Sequence, residues 1–445
     1  MFLYKDNDEF QVISFVGVAY FLEEKISGRL RKTSLSSPRV VDLSSGNARF
    51  QQMDTVLRAV VEAIHASPTQ AVLCLSGGAS QALGWLLSVP RASSTVLEVT
   101  VPYSRIAMLQ FLGKVPAQYT SKETAEDIAL AAYNRALRLA IPGVPVAGIG
   151  FTGALVSATP KRGEHRCYVA ARTQKGLWEY NLTLSKGKRD RVGEDEVTSR
   201  ILIKAGTSGV EGLTSLADVC GVDLEFPLGL DDAFEKLNVS NKQYTEDEHL
   251  NQLIEGKVSI ISFIKSQGLV SGGRKVILPG SFNPLHEGHI KLLEVACSMC
   301  EGSIPCFEIS AINADKPPLS LPEIKKRVKQ FQDRGKTVIL TNQPYFYKKA
   351  ELLPDSTFVI GVDTAVRLIN TKYYDGSHEK MLEVLLGIQN LGCDFLVAGR
   401  KVGETFQVLS DLSVPEPVQK LFRGIDANTF RVDISSSELR AASAL

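Results

Sequence analysis

The sequence predicts an α/β protein of two domains. Three observations lead there. The chain has 445 residues, too many for one ordinary domain. Short β-rich apolar runs alternate with stretches of helical apolar period, first over residues 49–206 and again over 273–445. Between them, residues 207–272 lose that periodicity and read as a connector. Residues 1–48, with the loop-forming "KTSLSSPRVVDLSSGN", are an N-terminal extension to which the pattern assigns no role.

In the first domain "MDTVLRAVVEAIHAS" has a helical apolar period, "QAVLCL" is a buried strand, "SGGASQ" a turn and "ALGWLLSV" a helix. Strand "TVLEVTV", helix "KETAEDIALAAYNRALRLA", strands "PVAGIGFTG", "HRCYVAART" and "LWEYNLTL", and helix "GEDEVTSRILIKA" complete it. In the connector a helix is expected over "EDEHLNQLIEGKVSIISFIKS", followed by the hinge-like "GLVSGGRK".

The second domain opens with strand "KVIL". It continues with helix "HIKLLEVACSMC", strand "PCFEIS", helix "LPEIKKRVKQF", strands "TVILT" and "TFVIGVD", helix "KMLEVLLGIQ" and strand "DFLVAG". Regular alternation of strand and helix predicts a mostly parallel, doubly wound sheet.

Composition narrows the function. Hydrophobic content of 44% with 22% charged residues is that of a chain with a proper core. Fifty basic and 49 acidic residues leave a formal charge of +1, which argues against a broad nucleic-acid footprint. No apolar run approaches the ~18 residues of a membrane span. Seven scattered cysteines do not make a disulfide scaffold and fit a reducing, cytoplasmic setting. Cys297 and Cys300 form a CxxC pair inside an apolar helical pattern, with no second pair to complete a zinc site, so they are expected in the core. No metal-ligand cluster is expected, and a homo-oligomer is allowed by the sequence without being specified.

The densest chemistry lies in "VILPGSFNPLHEGHIKLLEVA". A strand ends at Leu278, "PGSFNP" turns, and a helix begins near Gly288. Ligands of open α/β sheets bind at strand carboxyl ends, over helix N-termini whose free N–H groups attract anions. Gly280 lets the backbone approach a phosphate closely. His286 and His289, three apart at a helix start, share one face and can donate hydrogen bonds to phosphate oxygens as charge builds.

"GSFNPLHEGH" resembles the signature of the HxGH nucleotidylyltransferase superfamily, and "DISSSELR" (Asp433–Arg440) resembles its second signature. The resemblance implies a Rossmann-like C-terminal domain that moves a nucleoside monophosphate from ATP or CTP to a small phosphorylated acceptor. Pyrophosphate leaves, and Mg²⁺ travels with the triphosphate. Ser435 and Ser436 would cap a helix and bind a terminal phosphate, and Arg440 would neutralise pyrophosphate.

"GSFNP", "FVIGVD" and "ISSSELR" are most similar to nicotinamide or nicotinate mononucleotide adenylyltransferases, implying AMP transfer. By that likeness Gly280, Ser281, Phe282 and Asn283 bind the nucleotide, His289 with His286 stabilises the α-phosphate, Lys316 holds phosphate, Gly361 and Asp363 line the pocket, and Arg400 adds a cation. That family places a stacking tryptophan after its G-x-D strand. Here "TAVRLINTKYYD" offers Tyr373 or Tyr374 instead, which puts the acceptor in doubt. The alternatives are a cytidylyltransferase, an adenylyltransferase for another phosphate acceptor, and a non-catalytic nucleotide sensor.

Residues 49–206 resemble the C-terminal domain of the CinA family, which includes nicotinamide mononucleotide deamidases. The likeness runs through "LSGGASQALGWLLSVPRASS", "VTVPYSRIAMLQFLGKVP" and "GIGFTGALVSATPKRGEHRCYVA". Ser76 falls on that family's nucleophile and Thr152 on its catalytic threonine. Its lysine falls on Met108. A serine nucleophile needs a base, and methionine is none. The expectation is a domain that keeps the fold without amidase activity.

Overall fold

A computed structural model describes residues 53–203, 228–230, 235, 237–263, 273–313, 317–402 and 405–431. The elements, in chain order, begin with α1 (Thr55–Ala66), β1 (Gln70–Ser76), α2 (Gln81–Ser88), β2 (Val96–Thr100), α3 (Arg105–Leu112) and α4 (Lys122–Leu139). Then come β3 (Val146–Ala154), β4 (His165–Arg172), β5 (Gly176–Leu184), α5 (Arg191–Ile203), β6 (Leu237–Gln243), α6 (Glu246–Ile254) and β7 (Ile260–Phe263). The second alternation is β8 (Lys275–Pro279), α7 (Glu287–Ser298), β9 (Ile304–Ser310), α8 (Leu321–Asp333), β10 (Val338–Thr341), α9 (Phe346–Leu352), β11 (Ser356–Gly361) and α10 (Val362–Leu368). Last are α11 (His378–Asn390), β12 (Asp394–Ala398), β13 (Arg400–Val402), β14 (Thr405–Gln407) and β15 (Phe422–Gly424).

The α/β class is as expected, with two large sheets and a two-stranded antiparallel ribbon, β13–β14. The first has the order β2-β1-β3-β4-β5-β6. Its β2, β1 and β3 run parallel, and β4, β5 and β6 add antiparallel strands. The second has the order β15-β12-β11-β8-β9-β10-β7. Numbered along the chain, its parallel strands lie 3-2-1-4-5-6, the Rossmann order, and the order reverses between β8 and β11.

The stretch expected to be a connector is divided between the two sheets. β6 pairs with β5, from Leu182 opposite Leu237 to Gly176 opposite Gln243. β7 pairs antiparallel with β10, Val338 opposite Phe263. The long helix expected there stops at Ile254: the chain turns at Gly256 (φ +75°), and the β-branched "VSIISF" goes into the sheet. β6 escapes a pattern search because, as an edge strand, it has mostly exposed side chains and no apolar alternation. Helices α3, α9 and α10 were also not expected. They span eight, seven and seven residues, too few for a period to declare itself.

Alternation along the central strands sorts side chains onto two layers. Val276 and Leu278 of β8 meet Ile290 and Leu293 of α7 and Val328 and Phe331 of α8, while Ile277 meets Leu385 and Ile388 of α11. The α7–α8 layer continues through Leu250, Leu253 and Ile261 to Tyr133 and Ile128 of α4, so one apolar core serves both sheets. Cys297 and Cys300 pack against that core, partly buried. Among the described residues no helix is long and apolar enough to cross a membrane.

Candidate functional site

β8 stops at Pro279, and the Gly280 N–H donates to the Glu308 carbonyl of β9 at 2.9 Å. The turn then folds Phe282 back over Gly280. A Cβ on Gly280 would stand 2.8 Å from that ring, so the glycine makes room for Phe282 as well as for a ligand. Phe282 is 1% exposed, has φ +43°, and stands edge-on to Phe307 (5.5 Å) and Phe331 (5.1 Å). The resemblance assigns Phe282 a nucleotide contact through its backbone groups, and its side chain is core.

The same ring meets His289 edge-on, centroids 5.0 Å apart at 82°. His286 caps α7 in extended backbone, and its ring stacks on His289 at 3.7 Å and 25°. The pair therefore shares one face, as the spacing predicts. His289 Nδ1 accepts the His286 main-chain N–H at 3.3 Å, which leaves the proton on Nε2. Burial, then the neighbouring His286 and Arg400, push His289 down to about 4, and burial also lowers His286. Both shifts favour the neutral rings at physiological pH, so His289 offers an uncharged Nε2–H as a donor. His286 Nδ1 is buried without a partner.

Across the point where strand order reverses, β11 ends at Gly361 and β12 leads into Arg400. Arg400 Nη1 donates to Asp363 Oδ2 at 3.3 Å, while Asp363 Oδ1 is buried and unpartnered. That oxygen lies over Gly361, where a Cβ would come within 2.5 Å of it. The field of Arg400 reaches His289. The structure thus gathers His286, His289, Gly280, Gly361, Asp363 and Arg400 at adjacent strand ends. Lys316, Ser435, Ser436 and Arg440 lie outside the described residues. Tyr374 donates its hydroxyl to the Leu368 carbonyl at 2.9 Å and packs its partly buried ring against the core under α10 and α11, whereas Tyr373 is exposed.

In the first sheet Ser76, the last residue of β1, and Thr152, two residues before the end of β3, are direct register partners. Both hydroxyls are spent on main chain: Ser76 Oγ donates to the Pro102 carbonyl at 3.4 Å, Thr152 Oγ1 to that of Tyr119 at 2.7 Å. Met108 is 2% exposed, a core residue of α3. Beside them a depression of about 430 Å³ is lined by Gly77, Gly78, Tyr103, Arg191 and Asp195.

Pattern reading missed the last two. Arg191 Nη2 donates to the Gly77 carbonyl at 3.1 Å. Asp195 accepts from Ser80 N, Ser80 Oγ and Gln81 N at 2.9–3.1 Å, filling the N-terminus of α2 with a carboxylate. The one available signal was "GEDE", whose acids look like ordinary first-turn residues.

Residues 277–442 match the model of the family described as Cytidylyltransferase-like. The second domain is therefore similar to that family. Solved structures of CinA-superfamily proteins are similar in the N-terminal region. The competence/damage inducible protein CihA from Agrobacterium tumefaciens is 16% identical, covering 34% of this chain and 93% of that one, with a TM-score of 0.29. The competence-damaged protein (CinA) superfamily protein from Enterobacter cloacae is 13% identical over 33% of this chain and 90% of that one, with a TM-score of 0.27. A search of the curated proteins gives no match.

Proposed function

We propose that the second domain transfers AMP from ATP to a small phosphorylated acceptor, with nicotinamide or nicotinate mononucleotide the first to test. The observation that supports this best is the stacked, neutral His286–His289 pair at a strand–helix turn, facing an Asp363–Arg400 pair across the point of strand-order reversal.

In the reaction an acceptor phosphate oxygen attacks the α-phosphorus. The bond from that phosphorus to the bridging oxygen breaks, and pyrophosphate leaves with the electron pair. No covalent enzyme intermediate is needed. Catalysis rests on positioning and on donors aimed at the developing charge. His289 Nε2–H supplies such a donor. Arg400, already oriented by Asp363, adds positive charge. Ser435, Ser436 and Arg440 would act on the pyrophosphate side. Mg²⁺ would come bound to the triphosphate and neutralise its charge there.

The name of the matching family favours CTP as the second reading. Incubation with ATP or CTP and a panel of phosphate acceptors separates the two. Pyrophosphate release with ATP is the expected result, and release with CTP alone would reject the adenylyl reading. For the first domain we propose a retained fold without amidase activity, because Met108 is packed in the core where a base is required.

A further inference from the structure

The turn bearing Phe282 is held from outside by α8. The Gln330 side-chain amide uses both ends on it: Oε1 accepts the Leu285 N–H at 2.8 Å, and Nε2 donates to the Phe282 carbonyl at 3.0 Å. Arg327, three residues earlier, donates from Nη1 to the Ser281 carbonyl at 3.1 Å. Its remaining nitrogens are fixed on Glu323 Oε1, Nε at 2.9 Å and Nη2 at 2.8 Å. α8 is itself anchored by Phe331, fully buried and edge-on to Phe282.

The turn needs such a hold. Phe282 sits in the left-handed region at φ +43°, where a residue with a Cβ costs about 1–3 kcal/mol and persists only if its surroundings impose it. Its ring is also the wall against which His289 stands, and His286 N–H completes that placement.

We propose that Gln330 is a positioning residue for the phosphate-handling histidines: its amide sets the Phe282 carbonyl and the Leu285 N–H, and so holds both the Phe282 ring that fixes the plane of His289 and the adjoining His286 N–H that fixes its tautomer. This rests on reading His289 as the group that meets the α-phosphate. Gln330 itself touches no reacting atom. It acts through the turn, and Arg327 seconds it at Ser281.

The test uses the full chain with Gln330→Ala and Gln330→Glu. The glutamate still accepts from Leu285 but cannot donate to the Phe282 carbonyl. Both variants are expected to lower kcat about 10- to 100-fold, the scale of a misplacement near 1 Å, with KM for the triphosphate within about two-fold of wild type. The ¹⁵N resonances of the His289 ring at neutral pH give a second readout: proton on Nε2 in wild type, an averaged tautomer in the variants. Wild-type kcat with an unchanged His289 tautomer in either variant that folds would overturn the proposal. So would a kcat loss that only follows the lost folded fraction. The tautomer is read without turnover, so a wild-type chain inactive on every acceptor would sink the transfer reaction and still leave the clamp decided.

Discussion

The two sheets present their parallel strand ends in opposite conditions. Near the ends of β1 and β3, Ser76 and Thr152 donate their hydroxyls to main-chain carbonyls, the nearby helix N-terminus is filled by Asp195, and Met108 is core. At the ends of β8 and β11, His286 Nδ1 and Asp363 Oδ1 are buried without partners, and the Phe282 backbone is held in a costly conformation. Unpaired buried polar atoms and backbone strain lower stability, and they persist where a ligand or transition state uses them. In hydrogen bonding the first site is satisfied from within and the second is not, while the turns of both hold a non-glycine residue at positive φ, Ala79 and Phe282.

The largest effect expected from breaking this contrast is at His289. His289→Ala should lower turnover about 100- to 1000-fold, as loss of a transition-state donor does. ATP binding by calorimetry should be largely retained, and unchanged turnover would remove the assigned role. Next is Gly280→Ala, whose methyl would press on the Phe282 ring at 2.8 Å. Overpacking of this kind costs about 1–3 kcal/mol of unfolding free energy, read from urea melts, and kcat should fall with it because the same ring supports His289.

A smaller effect is expected from pH. Burial holds both His289 and His249 near 4, against a usual value of 6.5. Between those values the unfolded chain takes up protons that the folded chain refuses, so stability falls as pH drops from about 6.5 to 4. Each histidine contributes at most about 1.4 kcal/mol per pH unit. Urea melts at pH 7 and pH 5 should show a shallower loss for His289→Ala. Ser76→Ala is expected to do least, within about 0.5 kcal/mol in stability and with no change in nucleotidyl transfer. Ammonia release from nicotinamide mononucleotide by wild type, abolished in Ser76→Ala, would reverse the reading of the first domain.

Local order determined what the sequence could say alone. Strand, glycine turn and helix follow one another within "VILPGSFNPLHEGHIKLLEVA", so the shared face of His286 and His289 was legible from their spacing. The same holds for the alternation that builds the Rossmann-like sheet, because strand and helix periods are written in neighbouring residues. What tertiary structure alone decided depends on residues far apart in the chain. Gln330 meets Phe282 across 48 positions and Asp195 meets Ser80 across 115, and no local period encodes either. β6 and β7 are strands only because β5 and β10 offer them an edge. Whether a histidine is neutral, a serine proton already spent or a phenylalanine a wall depends on burial and hydrogen-bond partners, which exist only once distant segments pack together.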